Sequence, residues 1–489
     1  MNKKKLILIR GGLLFANSLP LIAASCKNNE TKEPKKEPEM DAPIAPPADP
    51  GKSEPMHSGE PKVLKTDISS LKLEFSPTNN TNKSEVLELL KKQPKLENLT
   101  ESDFDLKLEK KALLNREGLI VVVANPESQL VSGTLNITIK KLDKLIPREH
   151  KYSNDKTRVL EIGYDEKGRI KTFDKNVKEV PADLPEEIIS LNWAFDRNLN
   201  EKIVNLEKWD TSNVESMNKT FFEAKKFNTD ISSWKTNNVK DMSYMFASAE
   251  SFNQNLDKWD TSNVTTMNRM FQQAKTFNGD VSKWDTKNVK DMSYMFDKAE
   301  SFNNDISLWN VDNVTTMERM FSGAKSFNKP IFKLVNPKVT NLEYMFYGAS
   351  KFNDSNISQW NTSSVTTINA MFKDAIEFNQ DLSKWKTDKI TIMSSTFSNA
   401  AKFNGNIKNW NTSNVTTMKE MFWRAQTFNQ DIGNWDVKNV KDVTSMFFGA
   451  GHFDKSLKNW KFNTEPEHQN FNNGSKPKDL PTFKQPNAK

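Results

Sequence analysis

Few side chains in this sequence are placed for catalysis. The four histidines, His57, His150, His452 and His468, are scattered along the chain. They form no HExxH pattern, and the one cysteine gives no Cys/His spacing typical of a metal site. The sequence also has no P-loop and no G-x-S-x-G turn. It therefore predicts no catalytic residue, no metal ion and no enzymatic activity, so binding is the function to look for.

A recurring asparagine is the first candidate for binding chemistry. It follows a phenylalanine in nearly every copy of a 25-residue repeat, and Asp280, two residues after Asn278, suggests calcium. Calcium, however, usually needs several carboxylates that converge on one point. We favour a ladder in which each side chain satisfies turn backbone groups from repeat to repeat. The asparagines are Asn228, Asn253, Asn278, Asn303, Asn328, Asn353, Asn379, Asn404 and Asn429.

Aromatic side chains recur in two slots outside the predicted core phase. One slot lies two residues before the central phenylalanine of a repeat, and the other directly follows that phenylalanine. Exposed aromatic rings are favoured anchors of binding interfaces, whereas lateral packing between adjacent repeats is an equal alternative. The candidate partner-binding residues are Phe222, Tyr244, Tyr294, Tyr344, Tyr347, Trp423 and Phe448.

The repeat itself must position these residues. Tryptophan marks each copy at intervals of 25 residues from Trp209 to Trp309 and again from Trp360 to Trp460, with Leu334 and a one-residue insertion between the two series. Within one copy, apolar residues at i, i+3, i+4, i+7 and i+10 predict a helix of about three turns. A short strand around 280–284 is expected to follow. The residues of that helix face are Met267, Met270, Phe271, Ala274 and Phe277.

A single copy of 25 residues cannot bury these groups alone, but stacked neighbours can. We therefore expect an α/β repeat solenoid over residues 206–462, with one short strand and one short helix per 25-residue rung. Residues 156–205 are predicted to form a bridging hairpin, with its turn at 165–168, and an N-terminal cap. Residues 463–489 are predicted to form a polar tail.

The segment before the repeats predicts a separate small α+β domain at 63–145. Its apolar pattern indicates one helix that begins at a capping Ser84 and several alternating strands. The predicted strands are 68–75, 104–108, 119–124 and 134–142. Residues 26–62 are rich in Pro, Lys and Glu, a composition typical of a disordered tether.

Residues 1–25 have the layout of a secretory signal peptide, with a lysine-rich start and a broken apolar stretch. Small residues, Ala23, Ala24 and Ser25, precede Cys26, and this junction resembles the lipobox of bacterial lipoproteins. The resemblance implies that Cys26 receives a diacylglyceryl lipid, which would hold the protein on the extracellular face of the cell membrane. No other cofactor is expected.

The repeat also resembles known families through the spacing V-x-x-M-x-x-M-F-x-x-A-x-x-F, as from Val264 to Phe277. It resembles BspA-like leucine-rich repeats and, more closely, the 25-residue repeats of mycoplasma surface lipoproteins. The domain at 63–145 is similar to lipoprotein-associated domains of mycoplasma surface proteins. These resemblances imply a leucine-rich-repeat-like solenoid and a role in adhesion or host interaction.

The net charge of the chain indicates which class of partner it can bind. The net charge of +7 includes four basic residues of the leader, and without them 66 basic side chains face 63 acidic ones, a net charge of +3. Such a balanced chain does not predict nucleic-acid binding. We expect the solenoid face to bind a host or extracellular protein or glycan. The alternative is a structural or antigenic coat, or a spacer, without a specific ligand.

Overall fold

The computed structural model describes residues 64–335 and 338–483, so the predicted leader, Cys26 and the tether lie outside the described residues. Regular elements are concentrated before the repeats. They are β1 (Thr66–Asp67), α1 (Lys83–Leu90), β2 (Phe104–Lys110), β3 (Gly118–Ala124), β4 (Val131–Ser132), β5 (Thr134–Ile139), β6 (Lys151–Tyr152) and β7 (Val159–Glu161). Short 3₁₀ helices occur at Glu101–Asp103, Leu206–Lys208 and Ser355–Gln359.

Helix α1 begins with a capping box. Asn82 Oδ1 accepts the Glu85 N–H at 2.9 Å, and Glu85 Oε2 accepts the Asn82 N–H at 3.4 Å, which satisfies two free donors of the first turn. The prediction that Ser84 caps the helix was wrong, because its hydroxyl donates to Asn82 Oδ1 instead. The buried side of the helix consists of Val86, Leu87 and Leu90.

Three antiparallel strands form the sheet of this first module, with β3 between β2 and β5. These strands correspond to the predictions at 104–108, 119–124 and 134–142. The strand expected at 68–75 does not form, and only β1 pairs, in parallel with β4. The reason is local: Asp67 Oδ1 accepts the Ser69 N–H at 2.9 Å, and the Leu71 N–H donates to the Ile68 carbonyl at 3.1 Å. This turn replaces the extended chain.

A bridging segment joins this module to the repeats. Strands β6 and β7 pair with each other, and the predicted turn is present, since the Gly168 N–H donates to the Asp165 carbonyl at 3.1 Å. The loop after β2 also contacts the repeats directly. Arg116 lies 2.5 Å from the carboxylate of Glu186 and donates to Asn213 Oδ1 at 3.2 Å. The first module and the first repeats therefore share an interface.

Successive copies of the repeat stack through single parallel backbone bridges. One bridge per copy joins residues 25 or, at the start of each series, 26 positions apart, and the series run from Ser190 to Thr316 and again from Asn341 to Glu467. Such pairing brings each residue above its equivalent in the preceding copy. Register is therefore fixed along each series.

The copies contain tight turns instead of the expected helix. In the copy that includes Phe271, Arg269 and Gln273 have positive φ values of 56° and 57°. A left-handed residue interrupts a right-handed helix, and similar pairs recur from copy to copy. The strand expected at 280–284 is also a turn, in which Asp280 Oδ1 accepts the Ser282 N–H at 2.9 Å. One short helix and one short strand per rung is therefore wrong for the described copies.

Aromatic rings fill the core as ladders that run from copy to copy. The central rings Phe246, Phe271 and Phe296 stack at centroid distances of 5.4 and 5.6 Å. Within a copy, Phe277 stacks on Phe271 at 3.8 Å, and the tryptophans form a further ladder. The phenylalanine rings are fully buried and the tryptophans nearly so. Each copy thus covers the rings of the copy before it.

Hydrogen bonds also connect each copy to the copy before it. Ten indole N–H groups donate to a backbone carbonyl 28 residues earlier, as Trp284 does to Leu256 at 2.8 Å. The Asn303 N–H donates to Asn278 Oδ1 at 2.8 Å, and equivalent bonds connect the asparagines from Asn228 to Asn429. These hydrogen bonds confirm the predicted asparagine ladder.

One irregularity interrupts the stack. Leu334 occupies a tryptophan slot, and the ring of Phe332 compensates by stacking on Trp360 at 5.6 Å. The inserted residue is accommodated near the 3₁₀ helix Ser355–Gln359, where the side chain of Asp354 caps the first turn. The aromatic ladder of the central phenylalanines continues past this point, because Phe346 stacks on Phe372 at 5.7 Å.

The last copy is closed by residues that the sequence had assigned to the polar tail at 463–489. Phe471 is buried and lies edge-on to Phe447 at 5.3 Å, and Phe483 packs edge-on against Phe471 at 5.3 Å. The prediction of a polar tail is therefore wrong as far as residue 483. A final repeat would otherwise leave its rings in water, and a terminal unit of different sequence covers them.

The N-terminal end of the stack is closed in a similar way, by the predicted cap at 156–205 together with His150, which precedes it in the chain. Phe173 packs on Phe195 at 4.8 Å, and the ring of His150 stacks on Phe173 at 4.3 Å. Burial lowers the pKa of His150, and hydrogen bonds to backbone groups only partly oppose it. This histidine is therefore a neutral aromatic component of the cap at pH 7.

Close stacking leaves no room for a side chain at Gly279. A Cβ there would lie 1.9 Å from the Gln254 carbonyl oxygen in the preceding copy. We expect Gly279→Ala to destabilise the stack by about 2 kcal/mol or more, because backbone would have to move. The loss is measured from the denaturant midpoint of unfolding. Gly451→Ala is the matched control, since nothing lies within 4 Å of its Cβ position, and equal effects of the two substitutions would contradict this packing.

Candidate interaction surface on the repeat stack

One slot of the repeat forms a surface column in which aromatic rings and cations alternate. Lys219 Nζ lies 4.1 Å from the ring centroid of Trp193 and 4.9 Å from that of Tyr244. The guanidinium carbon of Arg269 lies 5.2 Å from Tyr244 and 4.2 Å from Tyr294, distances typical of cation–π contacts. We call this set the aromatic–cation column: Trp193, Lys219, Tyr244, Arg269, Tyr294, Arg319 and Tyr344.

The backbone of the turns positions the column. Tyr244 has a positive φ of 57° and Arg269 one of 56°, so each residue projects from a left-handed corner. The Tyr244 N–H donates to the Asn268 carbonyl at 2.9 Å, and the Phe246 N–H donates to the Met270 carbonyl at 2.9 Å. Bonds on both sides of the slot hold neighbouring copies in register. Consecutive column side chains therefore lie one above another.

Hydrogen bonds strengthen the middle of the column. Arg269 donates to the Tyr244 hydroxyl, and the Tyr294 hydroxyl donates to Glu318 Oε1 at 2.7 Å. Burial raises the pKa of Tyr294, as does the bond to Glu318, so its phenol stays a donor. Burial lowers the pKa of Arg269, but contacts with both tyrosines outweigh this and raise it overall. Arg269 therefore keeps its positive charge.

The structure brings together five of the seven predicted aromatic residues. Tyr244, Tyr294 and Tyr344 belong to the aromatic–cation column. Phe222 lies edge-on to Tyr244 at 6.3 Å, and Tyr347 lies edge-on to Tyr344 at 5.9 Å. All five are half-buried, so they pack between copies and still present part of their surface to solvent.

Trp423 and Phe448 form a second, separate cluster. Their rings stack at 6.2 Å, and the guanidinium carbon of Arg424 lies 4.2 Å from the Trp423 ring. Between this cluster and Tyr344, the column slot holds Ala370, Ser395 and, level with the cluster, Glu420. The aromatic–cation column therefore ends at the irregularity in the stack.

Sequence reasoning missed Trp193 and the three cations Lys219, Arg269 and Arg319. A signal for the two arginines was available, because the slot two residues before the central phenylalanine alternates Tyr and Arg from Tyr244 to Tyr344. That alternation has a period of 50 residues, twice the basic repeat. Arginine alone is typical of solvated surface, but here Arg269 and Arg319 lie between the tyrosine rings.

Nothing in the geometry of the described residues indicates a metal centre. No group of three or more His, Cys, Asp or Glu side chains there could hold a metal ion. The asparagines that suggested calcium are engaged in the ladder, where each Oδ1 accepts a backbone N–H of the next copy. Their oxygens therefore already have a structural role.

Comparisons with known proteins agree with a repeated chain that has a separate first module. A family model described as a mycoplasma protein of unknown function, DUF285, matches four overlapping segments, 189–287, 255–355, 333–407 and 383–480. A spiralin domain matches residues 64–140. No curated protein and no solved structure matches the chain. Among the described residues, no helix has the length and hydropathy needed to span a bilayer.

Removal of one cation should weaken the aromatic–cation column. Arg269 contacts two rings and donates to Tyr244, so we expect Arg269→Gln to destabilise the stack by about 1–2 kcal/mol. Lys290→Gln is the matched control, because Lys290 is exposed and a surface substitution usually changes stability by less than about 0.5 kcal/mol. Tryptophan fluorescence during denaturant unfolding measures both. A column that contributes nothing would show the same midpoint for the two variants.

Proposed function

Because the chain belongs to the DUF285 family of mycoplasma proteins and carries a spiralin domain, we propose that it is a lipid-anchored surface protein that binds a host or matrix partner. The chain is a mycoplasma surface protein with repeats. The fold class that we propose for residues 206–462 is a repeat solenoid, now extended by the closing unit to residue 483. Its exposed face is the proposed binding surface, and the partner is a protein or a glycan.

The aromatic–cation column carries this proposal. The core of most copies consists of buried Phe, Met and Trp residues, so burial of that core does not require a further row of surface rings. Tyr294 and Arg319 nevertheless occupy that row, half-exposed and in contact. Aromatic and arginine side chains are enriched among residues that dominate binding energy. Rings held rigidly by neighbouring cations also lose little conformational freedom when a partner binds.

Stacking also defines what such a partner can contact. Both faces of Tyr294 are covered by cations, Arg269 at 4.2 Å and Arg319 at 5.7 Å. A partner would therefore meet ring edges, hydroxyl groups and guanidinium N–H groups rather than open ring faces. This chemistry suits carboxylate, sulfate or carbonyl acceptors on a protein or glycan surface.

Binding to an immobilised partner tests the proposal. The probes are fibronectin, collagen and heparin, and the analyte is the chain from residue 27, which lacks only the predicted leader and Cys26. We expect saturable binding to at least one probe, weakened about tenfold or more by Tyr344→Ala. Trp423→Ala tests the second aromatic cluster in the same assay.

Lys290→Ala is the control for that assay, since this exposed lysine lies outside the aromatic–cation column. Thermal unfolding of each variant separates lost binding from lost folding. An absence of binding to all three probes would contradict adhesion through these surfaces and favour the alternative, a coat or spacer without a specific ligand.

The proposed anchor is tested separately at Cys26. We expect cells that express the full chain to incorporate radiolabelled palmitate into it, and Cys26→Ala to remove the label because the chain has no second cysteine. The same substitution should release the protein from the membrane fraction. Labelling that persists in the variant would contradict lipid anchoring at this position.

A further inference from the structure

The first cation of the aromatic–cation column lies in a box of three rings. Lys219 Nζ is 4.1 Å from the ring centroid of Trp193, 5.5 Å from that of Phe222 and 4.9 Å from that of Tyr244. Phe222 is inclined at 68° to Trp193 and at 67° to Tyr244. Trp193 and Tyr244 therefore form two walls, and Phe222 forms the end of the box.

This arrangement differs from the rest of the column. The residue after the central phenylalanine is Phe222 beside Lys219, whereas it is Gln272 beside Arg269 and Ser322 beside Arg319. Only the first of these three cations therefore meets a third ring. Within the described part of the chain, the Lys219 ammonium has no hydrogen bond and no ion pair. Ring faces are thus its main surroundings.

The side chain of Asp196 interacts electrostatically with the cation in the box. The Asp196 side chain is 17% exposed, and its Oδ2 lies 3.6 Å from Arg197 Nη1. Its other oxygen, Oδ1, is buried and has no hydrogen-bond partner among the described residues. Burial raises the pKa of Asp196 overall, although the charges of Arg197 and Lys219 partly oppose this. The electrostatic attraction between Asp196 and Lys219 thus adds to the contacts that this cation makes with the rings.

We propose that Trp193, Phe222 and Tyr244 form a binding site for a trimethylammonium group, as in choline, with Lys219 as an internal occupant that the ligand displaces. Aromatic boxes of this kind recognise quaternary ammonium ions through the negative faces of the rings. This small-ligand site goes beyond the proposed adhesion and does not depend on it.

The dimensions of the box agree with a methylated nitrogen. Carbon atoms in contact lie about 3.5–4.0 Å apart, so the distances of 5.5 and 4.9 Å from Nζ leave space around a bare ammonium. An N–C bond of about 1.5 Å would fill most of that space with a methyl group. Towards Trp193 the nitrogen would have to lie slightly further away than Nζ does.

Displacement of the Lys219 ammonium by a trimethylammonium group should cost little free energy. A lysine ammonium is strongly hydrated and sits on a flexible stem, so Lys219 can turn towards water with little loss. A trimethylammonium group has no N–H to hydrate and gains more from ring faces. The site should therefore prefer choline to ethanolamine, which carries the same charge.

Calorimetric titration of the full chain, in a detergent without choline, tests the site. We expect saturable binding of choline and of phosphocholine, with ethanolamine at least about tenfold weaker. Binding to phosphatidylcholine vesicles but not to phosphatidylethanolamine vesicles would identify the lipid headgroup as an accessible source. Binding of the free compounds alone would identify a soluble source.

Substitutions test each part of the proposal. Phe222→Leu should abolish choline binding, whereas Lys219→Ala should tighten it several-fold because the internal competitor is removed. Lys290→Ala is the control, because this exposed lysine lies outside the aromatic–cation column, and it should leave choline affinity unchanged, with folding checked by thermal unfolding. Equal affinity for choline and ethanolamine, no binding in both wild type and Lys219→Ala, or unchanged affinity in Lys219→Ala would overturn the proposal. A failure here would leave the matrix-binding result untouched, because that assay depends on Tyr344.

Discussion

The structure depends on one constraint: a unit of 25 residues cannot cover its own aromatic rings. Each copy lays Phe and Trp side chains on a face that only the next copy can cover, as Phe271 is covered by Phe296. The same pair of neighbouring copies also completes the polar groups, since the indole N–H of Trp309 donates to the Val281 carbonyl and the Asn303 N–H donates to Asn278 Oδ1. Ring stacking and hydrogen bonding therefore require the same register. A copy shifted along the stack would lose both its ring contacts and its hydrogen bonds.

This shared register explains which features the sequence could predict. The period, the buried positions and the asparagine ladder all follow from residues that recur every 25 positions. The local conformation did not follow. Spacing at i, i+3, i+4 and i+7 is typical of a helix, but two successive tight turns place the same residues inward. The difference lies in backbone angles at Arg269 and Gln273, two residue types that fit a helix and carry no turn signal of their own.

The surface residues show a second reason why the consensus of a repeat does not predict the whole structure. Tyr244 and Tyr294 could be identified as off-phase aromatic residues, but their arrangement in the aromatic–cation column depends on Arg269, which separates them. Likewise, the polar composition of residues 463–483 concealed Phe471, which becomes buried because the last copy provides a ring platform for it. Single residues outside the consensus thus acquire their environment from the stack.

The closed ends have a consequence for assembly. Phe173 and His150 cover one end of the stack, and Phe471 and Phe483 cover the other. An open stack of identical copies would join another head to tail and grow into filaments, since each terminal ring face is complementary to the opposite one. The two unlike closures interrupt that growth. Association between molecules, where it occurs, then involves the sides of the stack. The length of a stack is fixed by the number of copies in its chain.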